Sequence, residues 1–219
     1  MEALASIAGK IDHTLLRPDA TAAQIELLCE EALRHRFACV CVHGAWVARS
    51  AARLSGSEVV ACAVVGFPSG AVTPDAKVFE AARAIQDGAR ELDMVLAIGA
   101  LKGGDHDYVR RDIEGVVRVC RAGGAKLKVI LETSLLTDAE KLRACEIAVA
   151  AGADFVKTST GFAKGGATLA DVALLRSAVG PAFGVKASGG IRDASTANAM
   201  LRAGANRIGS SSSVAIVGG

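Results

Sequence analysis

Short apolar stretches rich in β-branched residues alternate with longer segments of helical period along the whole chain. This alternation is typical of βα units built on a parallel sheet. Eight stretches are predicted to be strands: residues 11–15, 37–42, 59–65, 91–95, 127–131, 154–158, 183–187 and 207–210. Eight strands close a (β/α)8 barrel, whereas a doubly wound sheet more often has five or six and a glycine-rich turn after the first. We therefore predict an α/β fold, a single TIM barrel domain over residues 1–219.

A weak internal repeat supports the barrel and aligns three of its strands. In each copy a small turn with glycine ends a helix, and a strand follows at a fixed offset. The glycines are Gly88, Gly152 and Gly204, and the residues five positions later are Asp93, Lys157 and Gly209. These three residues should therefore lie at equivalent depth in their strands. Helix starts are predicted at 19–21, at 74–75 and at a capping box over 137–140.

The charge balance argues against a large anionic partner. Lysine and arginine total 25 against 23 aspartates and glutamates, so the net charge of +2 creates no field that would attract nucleic acid or a membrane surface. The longest uncharged run, residues 59–74, is interrupted by glycine and proline and is too short to span a bilayer. No secretory signal is recognisable at the start, so we expect a cytoplasmic protein whose six cysteines are buried, reduced thiols.

Two lysines lie inside apolar strands, where an ammonium group is costly unless it is paired or neutral. Lys157 lies in the sixth predicted strand and Lys186 in the seventh, which should be its neighbour. One strand lysine alone would more often point outward or pair with a helix. Two on successive strands, each followed by small residues of the Thr/Ser/Gly type, favour an inward orientation. Because burial and a nearby cation both favour loss of a proton, one amine is predicted to be the nucleophile for carbonyl chemistry.

Carboxylates and polar groups in other strands complete the predicted site. Asp93 could transfer protons directly or through a water, or it could merely neutralise a lysine. Lys128 and Glu132 share a strand face, and the pattern fits a supporting ion pair or substrate contacts equally well. His13 in the first strand is a further candidate for the pocket. The histidines and acids show no spacing typical of a metal site, so a metal-dependent mechanism is disfavoured.

Signals for binding a phosphate follow the last two predicted strands, the usual place in this fold. Residues 188–193 combine two glycines with Arg192 before a helical stretch, so free backbone N–H groups could face an anion. Residues 209–213 offer a second rim of N–H and hydroxyl donors. Either loop alone would be a common turn, but the two lie at adjacent strand ends, which favours an anion site.

Six motifs in this order resemble the deoxyribose-phosphate aldolase family, and the likeness runs from about residue 11 to residue 211. The motifs are IDHTLL at 11–16, VGFP at 65–68, ELDMV at 91–95, LKVILET at 127–133, FVKTSTGF at 155–162 and VKASGGIR at 185–192. The resemblance implies an enzyme that reversibly cleaves 2-deoxy-D-ribose 5-phosphate to acetaldehyde and D-glyceraldehyde 3-phosphate, without a metal or organic cofactor. It also suggests a homodimer.

The resemblance implies a role for each matching residue. Lys157 matches the lysine that forms the Schiff base, Lys186 the second lysine that tunes it, and Asp93 the acid–base carboxylate. The substrate-binding candidates, from the strand ends and the resemblance together, are Asp12, Cys41, Lys128, Thr158, Gly161, Ser188, Gly189, Gly190, Arg192, Gly209, Ser210 and Ser211. The chain departs from the family at residues 42–45, where members often have Asn-Pro, and its one tyrosine, Tyr108, is not in a C-terminal tail.

Two other functions remain open at this point. A sugar-phosphate isomerase or epimerase on a similar barrel would need a base but no imine. A non-catalytic sugar-phosphate binder would keep the anion loops, although it would have no need for two inward lysines and a carboxylate.

Overall fold

Eight parallel strands form a closed barrel in the computed structural model, which describes residues 7–218. The strands are β1 Ile11–Thr14, β2 Cys39–Val42, β3 Val60–Val65, β4 Glu91–Val95, β5 Lys126–Ile130, β6 Phe155–Lys157, β7 Gly184–Ser188 and β8 Arg207–Ser210. Each pairs with its neighbour in sequence, and β8 closes the barrel on β1. All eight predicted strands and the TIM barrel are confirmed, with ends within two residues of those predicted. The ends of the predicted domain, residues 1–6 and Gly219, lie outside the described residues.

Helices fill the connections between the strands and surround the barrel. They are α1 Ala22–His35, α2 Val47–Arg53, α3 Pro74–Gln86, α4 Ile98–Lys102, α5 His106–Gly123, α6 Asp138–Ala150, α7 Leu169–Val179, α8 Ala194–Arg202 and α9 Ser213–Gly218. Thr21 and Thr137 form capping boxes with Gln24 and Glu140, and Thr73 caps α3 ahead of Pro74. The predicted helix starts are confirmed. Across residues 7–218, no helix is both long and apolar enough to cross a membrane.

The alternation of side chains along each strand divides the structure into two cores. Outward residues such as Val40, Leu92 and Val129 pack against the helices in the main apolar cluster. Inside the barrel the apolar cluster is small: Leu16, Cys39, Cys41, Cys62 and Val64. Many of the other inward positions carry ionisable side chains, so the interior of the barrel is largely a polar site.

Candidate functional site

Three lysines converge on one buried carboxylate in the barrel interior. The Nζ atoms of Lys157 and Lys186 lie 2.8 and 2.7 Å from Oδ2 of Asp93, and Nζ of Lys128 lies 2.8 Å from Oδ1. Lys157 and Lys186 are register partners on β6 and β7, so their side chains enter the barrel side by side. Because both amines bind the same oxygen, their separation cannot exceed the sum of the two distances. The structure therefore brings Asp93, Lys157 and Lys186 together as the sequence predicts.

Further ion pairs extend this cluster toward β1 and β8. Asp12 lies 2.5 Å from Nζ of Lys186 and pairs with Arg207. Glu91 lies 2.6 Å from Nζ of Lys128 and 3.0 Å from Arg207. Together with Asp93 and Lys157, these groups make four basic groups and three carboxylates. The cluster therefore carries one excess positive charge when every group is ionised, and it becomes neutral when one amine loses its proton.

The electrostatics keep Asp93 and Lys186 in their charged forms. Burial alone would raise the pKa of Asp93, but the charges of its three lysines outweigh burial and hold that pKa well below its ordinary value. Burial likewise acts to lower the pKa of Lys186, but Asp12 and Asp93 outweigh it and hold that pKa well above the ordinary value. Lys186 is thus a fixed positive charge beside the amine of Lys157.

A cavity of about 570 Å³ opens above this cluster at the carboxyl ends of the strands. The last residues of β1, β6, β7 and β8 and the loops that follow them form its walls. Of the lysines between residues 7 and 218, only Lys157 contributes to these walls, although just 3% of its side chain is exposed. Lys128 and Lys186 are fully buried beneath it. A molecule in the cavity therefore reaches the amine of Lys157 first.

The predicted anion loops line the same cavity. Gly161, Ser188, Gly189, Gly190, Arg192, Gly209, Ser210 and Ser211 all contribute to its walls. Gly189 and Gly190 both have positive φ angles, 89° and 80°, which glycine adopts without strain. The hydroxyls of Ser188 and Ser210 donate to the carbonyls of Ser159 and Ile191, at 2.6 and 2.7 Å. The Ser188 N–H also donates, to the Thr158 hydroxyl at 3.1 Å, so both donors of Ser188 are already engaged and its part in the cavity is to shape the wall.

Four predicted substrate-binding residues lie outside the cavity walls. Asp12, Cys41 and Lys128 are buried within the barrel. Thr158 is also buried, and its hydroxyl donates to the carbonyl of Ser188 and accepts from the N–H of the same residue, both at 3.1 Å. These residues support the walls and the lysines as the structure stands, and direct contact with a substrate stays a prediction for them.

Two expectations about individual side chains need correction. His13 does not line the pocket, because it points from β1 to the helix layer, where Nε2 lies 2.8 Å from a carboxylate oxygen of Glu31. Lys128 and Glu132 do not form an ion pair within the described chain, since Lys128 pairs inside the barrel and Glu132 accepts hydrogen bonds from Thr160. Side chains alternate between the two faces of a strand, and Ile11 packs in the outer apolar cluster. His13, two residues later, could therefore have been assigned to the outer face.

Sequence reasoning missed several members of the site. Glu91 lies two residues before Asp93 and so shares its strand face, a signal that was available. Arg207 and Cys62 gave no comparable signal, although the Cys62 thiol donates to Oδ1 of Asp93 at 3.2 Å. Cys41, Cys62 and Asp93 lie close enough together to hold a metal ion, but the lysines bonded to Asp93 would repel a cation.

Comparisons with known proteins agree with this geometry. The family model of the DeoC/LacD family aldolases matches residues 7–216. The chain is 59% identical to a deoxyribose-phosphate aldolase from a Geobacillus species over 98% of this chain and 96% of that protein. It is 58% identical to one from Listeria monocytogenes, with the same coverage.

A solved structure is similar along the whole chain. The tetrameric deoxyribose phosphate aldolase from Aeropyrum pernix superposes with a TM-score of 0.94 at 35% identity, over 100% of this chain and 92% of that one. The barrel, the buried lysine cluster and the nearly full-length relatives lead to the same assignment. The chain belongs to the DeoC/LacD family of aldolases.

Proposed function

We propose that the protein is a deoxyribose-phosphate aldolase that reversibly cleaves 2-deoxy-D-ribose 5-phosphate to acetaldehyde and D-glyceraldehyde 3-phosphate. The observation that carries the proposal is the amine of Lys157 on the cavity wall, sharing Oδ2 of Asp93 with the amine of Lys186. The relatives that bear this activity in their names match nearly the whole chain. In the proposal Lys157 forms the Schiff base, Lys186 tunes it and Asp93 serves in proton transfer.

The proposed reaction begins when the neutral amine of Lys157 adds to the substrate aldehyde at C1. The carbinolamine then loses water and leaves an iminium ion. As the hydroxyl on C3 gives up its proton, the C2–C3 bond breaks, its electron pair moves to the iminium to form an enamine, and D-glyceraldehyde 3-phosphate departs. Protonation of the enamine carbon and addition of water release acetaldehyde and restore the lysine.

Asp93 and Lys186 have complementary parts in this proposal. Lys186 and Lys157 share Oδ2 of Asp93, so the fixed charge of Lys186 is proposed to act on the reacting amine from hydrogen-bond distance of the same oxygen. A carboxylate held so firmly as an anion is a weak base, so we infer that Asp93 moves protons only between groups already hydrogen-bonded to it, directly or through a water.

The phosphate of the substrate is proposed to lie against the loops after β6, β7 and β8. Arg192 and the backbone N–H groups of Gly161, Gly189, Gly190 and Ser211 are the proposed donors. We further propose that the protein is a cytoplasmic, single-domain enzyme that needs no metal or organic cofactor. In this proposal it forms a homodimer and binds neither nucleic acid nor membranes.

Trapping of the imine tests the proposal. The protein is incubated with acetaldehyde and sodium borohydride, and peptide mass spectrometry should find an ethyl group on Lys157. Lys157→Ala should lose both the adduct and turnover, whereas Lys126→Ala, at an exposed lysine where β5 begins, should keep both. An isomerase or a mere binder would give no adduct, and normal turnover in Lys157→Ala would refute the assignment.

A further inference from the structure

Glu132 has an unusual backbone conformation beside the cavity. It follows β5, its φ and ψ angles are 55° and 64°, and only 2% of it is exposed. This left-handed region is strained for residues other than glycine, and such strain persists where the surroundings enforce it. Among residues 7–218, Arg36 is the other non-glycine residue with positive φ, and it ends α1 as an ordinary helix cap.

The carboxylate of Glu132 holds the loop that follows β6. Its Oε2 accepts a hydrogen bond from the backbone N–H of Thr160 at 3.1 Å and a second from the Thr160 hydroxyl. The same hydroxyl oxygen accepts the N–H of Phe162 at 3.0 Å. Because the one hydroxyl proton goes to Glu132, the oxygen lone pairs are free for Phe162. Glu132 thereby orients the residues on both sides of Gly161.

The other end of this loop is fixed to β7. The N–H of Ala167 donates to the carbonyls of Ser188 and Gly189, at 3.1 Å each. Between the two attachments, Gly161 lines the cavity with a φ of 86°, and its N–H has no acceptor among the described residues. The attachment at Glu132 therefore determines where this free donor lies relative to the glycines after β7.

We propose that Glu132 is a positioning residue that sets the affinity of the cavity for the phosphate end of its substrate. It does not line the cavity, so it acts through Thr160, which presents the N–H of Gly161 to the anion. This inference rests on the proposed function of the site. It makes preference for a phosphorylated substrate depend on a carboxylate that contacts neither the phosphate nor the reacting lysine.

The test compares Glu132→Ala with the conservative variant Glu132→Gln. Calorimetric titration with inorganic phosphate should show at least a tenfold higher Kd for Glu132→Ala. Glu132→Gln retains an accepting oxygen and removes a negative charge from beside the anion, so its Kd should stay within twofold of the parent or fall. For Glu132→Ala, kcat/KM should drop about tenfold for 2-deoxy-D-ribose 5-phosphate, through KM, and less than twofold for unphosphorylated 2-deoxy-D-ribose.

Equal losses on the two sugars would overturn the proposal, because Glu132 would then support the chemistry or the fold as a whole. Thr160→Val, of nearly the same size, removes the hydroxyl bonds to Glu132 and Phe162 but keeps the bond from the Thr160 N–H to Glu132. It provides a second test if Glu132→Ala does not fold. It should also weaken phosphate binding, and an unchanged Kd would count against the mechanism. Phosphate titration does not depend on catalysis. An absent borohydride adduct in the parent protein would therefore refute the aldolase without affecting the interpretation of the phosphate Kd values.

Discussion

Replacement of Asp93 by asparagine should both destabilise the protein and stop the reaction. The side chain is fully buried, and the Nζ atoms of three lysines lie within 2.8 Å of its two oxygens. Asparagine keeps the shape and one accepting oxygen but removes the charge. The excess positive charge of the cluster then rises from one to two, while Asp12 and Glu91 still balance part of Lys128 and Lys186.

The expected magnitude follows from the burial of these groups. Removing one partner of a buried ion pair costs about 3–5 kcal/mol, since it leaves a charge without compensation. A domain is commonly stable by only about 5–15 kcal/mol, so Asp93→Asn should lose a large share of its free energy of unfolding. Turnover should fall at least about a hundredfold if proton transfer depends on this carboxylate.

Urea unfolding at neutral pH measures the first effect, and steady-state kinetics on folded protein measures the second. The control is Asp107→Asn, whose side chain is 75% exposed and pairs with Arg110 on the surface of α5, and it should change stability little. Loss of stability equal to that of Asp107→Asn would refute the electrostatic account of the cluster.

The pH dependence of stability provides an independent check on the same group. Because the pKa of Asp93 is lower in the folded state than in the unfolded state, its contribution is complete above about pH 4 and disappears as the pH falls further. The pKa of Lys186 is higher in the folded state, so its contribution is present below about pH 10 and disappears as the pH rises through that folded value. Asp93→Asn should flatten the acidic limb, as measured by urea midpoints across pH.

Three further changes should have distinct effects. Lys186→Met removes the ammonium that shares Oδ2 of Asp93 with Lys157, so kcat should fall while borohydride still traps acetaldehyde on Lys157; an unchanged kcat would contradict the tuning role. Asp112→Ala breaks the fully buried pair with Lys77 and should cost about 3–5 kcal/mol in urea unfolding, whereas Asp112→Leu combined with Lys77→Met should recover most of it. Thr137→Ala should lose about 1 kcal/mol with its capping box, and Thr137→Ser should lose much less; equal losses would argue against the cap.

The sequence by itself determined the barrel and the core of its chemistry. Apolar runs of strand length separated by helical segments indicate parallel strands, because successive parallel strands need a crossover connection such as a helix. Eight such strands are the number that closes a barrel. The glycine repeat placed Asp93 and Lys157 at matching positions, and both side chains enter the barrel and bond to each other at 2.8 Å. Lysines in apolar strands were informative because an unpaired buried charge is so costly.

Only the tertiary structure decided which charged groups meet. Asp12 and Arg207 are 195 residues apart, and they pair because β8 closes on β1 and the register aligns Asp12 with Gly209. Local pattern could not reveal that Lys128 pairs with Asp93 and Glu91 on the neighbouring strand β4. Nor could it show that Glu132 turns to Thr160, since Glu132 follows the strand in a left-handed conformation. Alternation along a strand determines which face a side chain occupies, but closure, register and strand ends determine its partners.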